Sequence, residues 1–174
     1  MILFISTGML VTSCDNNQQA GHLATKKAGT KESSEKSLEK VNRYLLNAEK
    51  KEIDDYVRRH RWKMQTTGSG LRYNIYESGT GNPAVKGSTV TLNYRTYLIT
   101  GNLIYTSEKK GPIVFKVGHG GVETGLEEAV LLLHKGDKAH LIIPSHLAFG
   151  LNGDGDKIPK RASVIYDVEL IDVK

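Results

Sequence analysis

The chain has 174 residues, of which 39% are hydrophobic and 25% are charged, and its formal net charge is +5. This composition is typical of a globular protein with one domain and additional segments, and after residue 14 no stretch is long and apolar enough to span a bilayer. The only cysteine is Cys14, so a disulfide within the chain is excluded and the fold must be stable through its core.

Residues 1–13 are apolar and uncharged and end in small residues, which predicts a secretory signal peptide rather than a membrane span. The next residues, Val11-Thr12-Ser13-Cys14, resemble a bacterial lipobox. That resemblance implies that Cys14 is acylated and becomes the mature N-terminus. The protein would then be anchored in the cell envelope, on the periplasmic or the surface face of the outer membrane. The alternative is an ordinary secretory signal with an incidental cysteine.

Residues 14–37 are polar and contain few large apolar side chains, which predicts a flexible tether. Residues 38–63 are predicted to form a helical extension. Leu38, Val41 and Leu45 recur at helical spacing, and a second set begins at Ile53, out of line with the first. This pattern indicates two helical pieces or one kinked helix.

The excess positive charge of the chain lies in residues 26–63. Acidic and basic residues alternate there as on a solvated helix, so we expect no nucleic acid partner, and attraction to anionic lipid headgroups is a weaker alternative. We expect the extension to serve homodimerisation or contact with a partner.

Residues 64–174 are predicted to form one α+β domain, in which a curved antiparallel β-sheet wraps on one short helix. Val122, Leu126 and Val130 recur at i, i+4 and i+8 within residues 118–133, which indicates a helix with one buried face. Around it, short segments alternate between apolar and polar residues or lie between glycine turns, as strands do. The predicted strands are Leu71–Tyr76, Thr89–Ile99, Leu103–Thr106, Pro112–Val117, Ala139–Ile143 and Ser163–Val173.

Seven short motifs occur in this domain in an order and spacing that resemble the FK506-binding class of peptidyl-prolyl isomerase. They are Val90–Tyr94, Phe115–Gly118, Gly125–Glu128, Ile143-Pro144, Leu147–Gly150, Ile158-Pro159 and Tyr166–Leu170. The resemblance covers about residues 68–173. With the lipobox and the charged extension, the whole chain looks like the lipoprotein isomerases of Bacteroidetes, including those linked to gliding motility.

The resemblance implies binding of proline-containing polypeptides and rotation about their X-Pro bonds. Rotation about such an amide is slow because resonance sets a barrier of about 18–20 kcal/mol. An apolar, desolvated pocket can lower this barrier by binding the twisted amide better than the planar forms. No nucleophile, metal or cofactor is required, and we expect none.

The resemblance also implies the residues of the site. Tyr94, Phe149 and Tyr166 match aromatic residues that act on the substrate. Val122 matches a residue whose backbone contacts the ligand, and Leu126 takes the place of the pocket floor. The remaining substrate-binding positions are Ile104, Tyr105, Ile113, Glu123 and Ile158.

Several of these positions depart from the family pattern. Tyr105 stands where the family usually has Asp, Glu123 where it has Ile, Leu126 where it has Trp, and Phe149 where it has Tyr. Loss of one hydrogen bond typically costs about 1 kcal/mol. The alternative function is therefore a module of the same fold that binds a client with little or no catalysis.

Other patterns have ordinary explanations. Gly118–Glu123 lacks the last glycine of a dinucleotide fingerprint, and Asn152–Asp156 lacks the glutamate of a calcium loop, so we expect a turn and a loop tip. The histidines lack metal-ligand spacing, and alternation predicts that His140 faces solvent.

Overall fold

The structure, a computed structural model, describes the backbone of residues 20–174 and the side chains of residues 34–174. The predicted signal peptide and Cys14 lie outside the described residues. Within them, no helix has the length and apolar character needed to cross a membrane. Residues 46–174 form one compact unit, which is separate from the unit that precedes Leu46.

The first element is a single helix, α1 (Ala20–His60). It begins within the predicted tether and runs through the extension, for which two helical pieces or one kinked helix were predicted. The helix is continuous because Lys, Glu, Ala and Leu have high helix propensity even without a continuous apolar stripe. Ion pairs Lys50–Asp54 (3.1 Å) and Lys51–Asp55 (2.7 Å) at i, i+4 support the helix where the second apolar set begins.

A seven-stranded sheet and two short helices follow α1. The sheet order is β1-β2-β6-β7-β3-β4, with β5 also paired to β3, and every pairing is antiparallel. The predicted architecture is confirmed, and the predicted strands agree with the observed ones to within a residue at each end. The elements are β1 (Gln65–Thr66), β2 (Arg72–Glu77), β3 (Thr89–Leu98), β4 (Leu103–Thr106), α2 (Ser107–Lys110), β5 (Ile113–Lys116), α3 (Thr124–Val130), β6 (Lys138–Ile143) and β7 (Val164–Val173), with a 3-10 helix at Ser145–Leu147.

One face of the sheet, here called the front face, packs against α3. Leu126, Ala129 and Val130 of α3 are fully buried with residues of β3, β6 and β7. Gly125 allows the close approach, because a Cβ there would lie 2.3 Å from Cγ2 of Ile143. The helix therefore sits directly on the sheet and leaves its N-terminal turn beside the strand residues of the front face.

The opposite face, the back face, is covered by the end of α1. Ile53 and Tyr56 are 3% and 6% exposed and pack against Ile142 and Ile165, which alternate with front-face residues in β6 and β7. The predicted domain boundary at residue 64 would separate these side chains from the sheet that buries them. The compact unit instead includes the last turns of α1.

His140 corrects a prediction about this face. Its ring stacks on Trp62 at a centroid distance of 4.0 Å and lies 4.5 Å from the ring of Tyr76, so it is half-buried rather than directed to solvent. Alternation within β6 correctly puts His140 on the face opposite to Leu141. The prediction of solvent exposure failed because a segment that is distant in sequence, which includes Trp62, covers that face.

Candidate functional site

A cavity of about 500 Å³ opens on the front face beside the N-terminal turn of α3. Volumes of this order are usual for ligand sites. Strands β3, β4, β5 and β7, the turn before α3 and the segment after the 3-10 helix all contribute to it. Its lining residues are Tyr94, Thr96, Tyr105, Lys110, Ile113, Gly121, Val122, Glu123, Phe149 and Tyr166.

Two tyrosines from neighbouring strands form the buried aromatic part of the lining. Tyr94 is 8% exposed and Tyr166 is 3% exposed, and their ring centroids lie 6.3 Å apart. The register explains this position, because Tyr94 pairs with Val168 and Thr96 with Tyr166, so that alternation directs both rings to the same face. Burial, and next the nearby carboxylate of Glu123, raise the pKa of both phenols, so both hydroxyls remain protonated at neutral pH.

Glu123 holds the Tyr166 hydroxyl. The hydroxyl donates a hydrogen bond of 2.7 Å to Oε1 of Glu123. Glu123 is the residue at the start of α3, where side chains often cap the helix, yet it makes no such cap. Its carboxylate is turned toward the cavity instead.

Tyr105 stands where the family usually has an aspartate, and a carboxylate from another part of the chain, that of Asp154, lies beside it. Its hydroxyl donates hydrogen bonds to Oδ2 of Asp154 and, at 3.2 Å, to Oδ2 of Asp156. The Lys110 ammonium lies 3.7 Å from the centroid of the Tyr105 ring, within the range of a cation–π contact. Burial, and next the bond to Asp154, raise the pKa of Tyr105.

The predicted loop tip Asn152–Asp156 is therefore part of the site. Asp154 Oδ1 also accepts bonds from the backbone amides of Asp156 (2.9 Å) and Ile158 (2.8 Å). Although burial opposes the change, the hydrogen bonds from Tyr105 and these amides lower the pKa of Asp154. An ionised Asp154 thus ties the loop to β4 at the rim of the cavity.

The structure brings most of the predicted site residues together. Those that line the cavity are Tyr94, Tyr105, Ile113, Val122, Glu123, Phe149 and Tyr166. Ile104, Leu126 and Ile158 are not among the lining residues. Leu126, predicted as the pocket floor, is fully buried in the core, because it lies on the inward face of α3 and does not extend to the cavity.

Comparison with known proteins identifies the family. A family model described as FKBP-type peptidyl-prolyl cis-trans isomerase matches residues 81–171. The chain belongs to this family. A probable FKBP-type peptidyl-prolyl cis-trans isomerase FkpA from Neisseria meningitidis is 38% identical over 111 residues, which cover 63% of this chain and 40% of that protein.

One further sequence relative and one solved structure show how much of the chain is similar to known proteins. FK506-binding protein 1 of Dictyostelium discoideum is 35% identical over 106 residues, which cover 60% of this chain and 99% of that protein. The crystal structure of FkpA from Escherichia coli superposes with a TM-score of 0.65 at 30% identity, covering 94% of this chain and 75% of that one. The chain nevertheless spans less than half the length of the FkpA sequences it matches.

Three residues of this FKBP-family cavity were missed from the sequence. Thr96 alternates with Tyr94 along β3, so the period of two could have placed it there. Lys110 ends α2, a four-residue helix without a long enough apolar pattern to predict. Gly121 lies in the turn that was interpreted only as a connection.

A further missed residue, Glu49, fixes the loop that carries Phe149. Its carboxylate accepts hydrogen bonds from the backbone amide (2.6 Å) and hydroxyl (3.1 Å) of Ser145, and from the hydroxyl of Ser163 (2.6 Å). These serines stand at the two ends of the loop 145–163. No sequence pattern links a glutamate in α1 to serines about a hundred residues later, so only the fold reveals this contact.

A second cavity, of about 490 Å³, lies on the back face. Its lining is mostly charged, and its ion pairs include Lys138–Glu77 (3.0 Å) and Arg95–Glu108 (2.7 Å). It offers little apolar surface for a proline ring. The aromatic cavity on the front face is therefore the candidate site of the FKBP family.

Proposed function

We propose that the protein is a peptidyl-prolyl cis-trans isomerase that acts on X-Pro bonds of exported and envelope proteins. The observation that carries the proposal is the front-face cavity, in which Tyr94, Phe149 and Tyr166 present aromatic rings. These are the three positions that the family resemblance marks as acting on the substrate. Membership of the family supports the same activity.

The cavity suits the physical requirement of the reaction. Twisting the X-Pro amide removes its conjugation and reduces the dipole of its carbonyl, so a site with little water favours the twisted form over both planar forms. The rings of Tyr94, Phe149 and Tyr166 supply apolar walls for the proline. The protonated phenols can donate hydrogen bonds but cannot act as bases, and rotation requires no base.

A second candidate is a binding module that holds a proline-containing segment without useful turnover. The replacements at Tyr105, Glu123 and Phe149 favour it, because they change hydrogen bonding and charge inside the cavity. The Tyr105–Asp154 contact favours the enzyme. It places a carboxylate at the rim of the cavity although position 105, where the family usually has Asp, is a tyrosine.

Catalysis decides between the two functions. For the full chain, we expect cis-trans exchange of an Ala-Leu-Pro-Phe peptide, measured by NMR exchange spectroscopy, to be faster than the uncatalysed exchange. Phe149→Ala should lower kcat/KM by about tenfold or more, since removal of a wall worth about 1.4 kcal/mol in the transition state has that effect. Leu151→Ala, two residues further along at a 67% exposed position, is the matched control. An uncatalysed rate for the wild type favours the binding module.

We also propose that the protein is a lipoprotein of the cell envelope, of the Bacteroidetes type, with the acyl chains on Cys14. The apolar residues 1–13 and the lipobox-like Val11–Cys14 support this proposal. Mass spectrometry of the protein extracted from membranes should show the acyl mass on Cys14 and its loss in Cys14→Ser. An unmodified Cys14 in the wild type would contradict the anchor.

We further propose that the protein forms a homodimer through the extension. Leu38, Val41 and Tyr44 are 61%, 53% and 73% exposed on α1, which is unusual for neighbouring large apolar side chains. Sedimentation of the full chain should show a dimer that Leu38→Glu with Val41→Glu dissociates. A wild type that is monomeric at micromolar concentration would exclude this role.

A further inference from the structure

The cavity contains a carboxylate that no cation of the described chain neutralises. Oε1 of Glu123 accepts the Tyr166 hydroxyl at 2.7 Å. Oε2 makes no hydrogen bond and no ion pair with any side chain of residues 34–174. Glu123 is half-buried and lines the cavity beside aromatic rings. A carboxylate in such a position gains free energy when a ligand brings a positive charge to its free oxygen.

The lysine that lines the same cavity does not supply that charge. The Lys110 ammonium lies over the ring of Tyr105, whose hydroxyl contacts Asp154 and Asp156. Lys110 therefore belongs to the charged group at the β4 rim, where the two aspartates oppose its charge. The negative charge of Glu123 acts instead on Tyr94 and Tyr166, since it adds to burial in raising the pKa of both phenols.

We propose that Glu123 is a specificity-determining residue that makes the site prefer X-Pro substrates with Lys or Arg next to the proline. This inference rests on the proposed function. When the proline ring packs on the aromatic rings, the side chains adjacent to it are the ones that reach the cavity wall. A Lys or Arg side chain can lay its aliphatic stem along those rings and place its charge at Oε2 of Glu123.

The test compares peptides that differ at one residue. The full chain is assayed with Ala-Xaa-Pro-Phe in which Xaa is Lys, Leu or Glu, and with a second series that varies the residue after the proline. NMR exchange is used because a coupled protease would add its own preference. Lys should exceed Leu in kcat/KM by about fivefold at low salt in one of the series, as expected for a half-buried ion pair worth about 1 kcal/mol. Glu should fall below Leu, and high salt should reduce both differences.

Two variants separate the charge from the hydrogen bond. Glu123→Gln keeps an acceptor for the Tyr166 hydroxyl but removes the charge, so the ratio of kcat/KM for the Lys and Leu peptides should fall to about one. Glu128→Gln makes the same charge change on α3, where the Glu128 carboxylate accepts the Ser69 hydroxyl at 2.7 Å outside the cavity. Glu128→Gln should keep the preference for Lys.

The inference is overturned if wild-type protein treats Lys and Leu alike in both series, or if Glu123→Gln lowers every peptide by the same factor. The second result would mean that the carboxylate binds the substrate backbone or only supports Tyr166. If the wild type turns over no peptide, the proposed activity fails. The ratio of Kd values for the Lys and Leu peptides, from NMR titration, then decides the charge preference separately.

Discussion

The front and back faces of the sheet are built from the same strands but in different ways. On the front face, α3 and residues of β3, β6 and β7 form a core that continues into the cavity. On the back face, Ile142 and Ile165 are covered by Ile53 and Tyr56 of α1, a segment that precedes the sheet in sequence. Neighbouring residues such as Leu141 and Ile142 therefore belong to separate cores.

Because the two faces have separate cores, substitutions on the back face should change the stability of the fold without changing the cavity. Removal of a front-face side chain disturbs the fold and the site together, because one core supports both. The back face holds α1 but contributes no residue to the lining of the aromatic cavity on the front face. The contact of Glu49 with Ser145 and Ser163 is the exception, since it links α1 to the loop that carries Phe149.

The largest effect is expected from Ile53→Ala on the back face. Ile53 is 3% exposed, and truncating a buried isoleucine to alanine typically costs about 2–5 kcal/mol. Urea unfolding should show this loss, while kcat/KM of the folded variant stays within about twofold of the wild type. Leu46→Ala, at a position 53% exposed on the same helix, should change the unfolding free energy by less than about 0.5 kcal/mol. A large fall in activity for Ile53→Ala would mean that the faces are not separable.

An intermediate effect is expected from Glu49→Ala, where hydrogen bonds link α1 to the loop that carries Phe149. Three hydrogen-bond donors lose their acceptor, which should cost about 1–3 kcal/mol in unfolding free energy. Because Ser145 and Ser163 bound the loop of Phe149, KM should also rise more than kcat falls.

The exposed Glu52→Ala is the control for the change of charge in the same helix. Glu49→Gln, which retains one acceptor oxygen, should recover part of the stability and of KM. Lost stability with unchanged KM would show that Glu49 only attaches the helix.

The smallest effect is expected from the titration of His140 on the back face. Burial, and to a lesser degree the nearby His60, lower its pKa below the usual 6.5, although the carboxylate of Asp167 at 3.9 Å opposes this. Below pH 6.5 the unfolded chain therefore binds a proton more readily than the folded one, and stability falls as the pH falls toward the lowered pKa.

The slope of unfolding free energy between pH 7 and pH 5 measures this effect. His140→Gln should reduce the slope, whereas His119→Gln, at an exposed position before α3, should leave it unchanged. An identical slope in wild type and His140→Gln would remove His140 from the pH dependence.

Local patterns predicted part of the front face. Alternation in β3 gave the face of Tyr94, and the helical spacing of Val122, Leu126 and Val130 indicated a helix where α3 lies, whereas Tyr166 was assigned to the site by the family resemblance. These predictions succeeded because the direction of a side chain depends on the period of its own element. The same rule predicted the wrong environment for His140, since the period gives a face but not the segment that covers it.

The sequence by itself determined the α+β class and six of the seven strands, and its resemblance to the family gave the set of aromatic residues at the site. Only the tertiary structure decided that Asp154 supplies a carboxylate to Tyr105, that Glu49 holds Ser145 and Ser163, and that Leu126 lies in the core. The physical reason is the range of the interactions. Hydrophobic periodicity acts between residues three or four apart, whereas these hydrogen bonds join residues separated by about fifty to more than a hundred positions, and only chain folding brings them together.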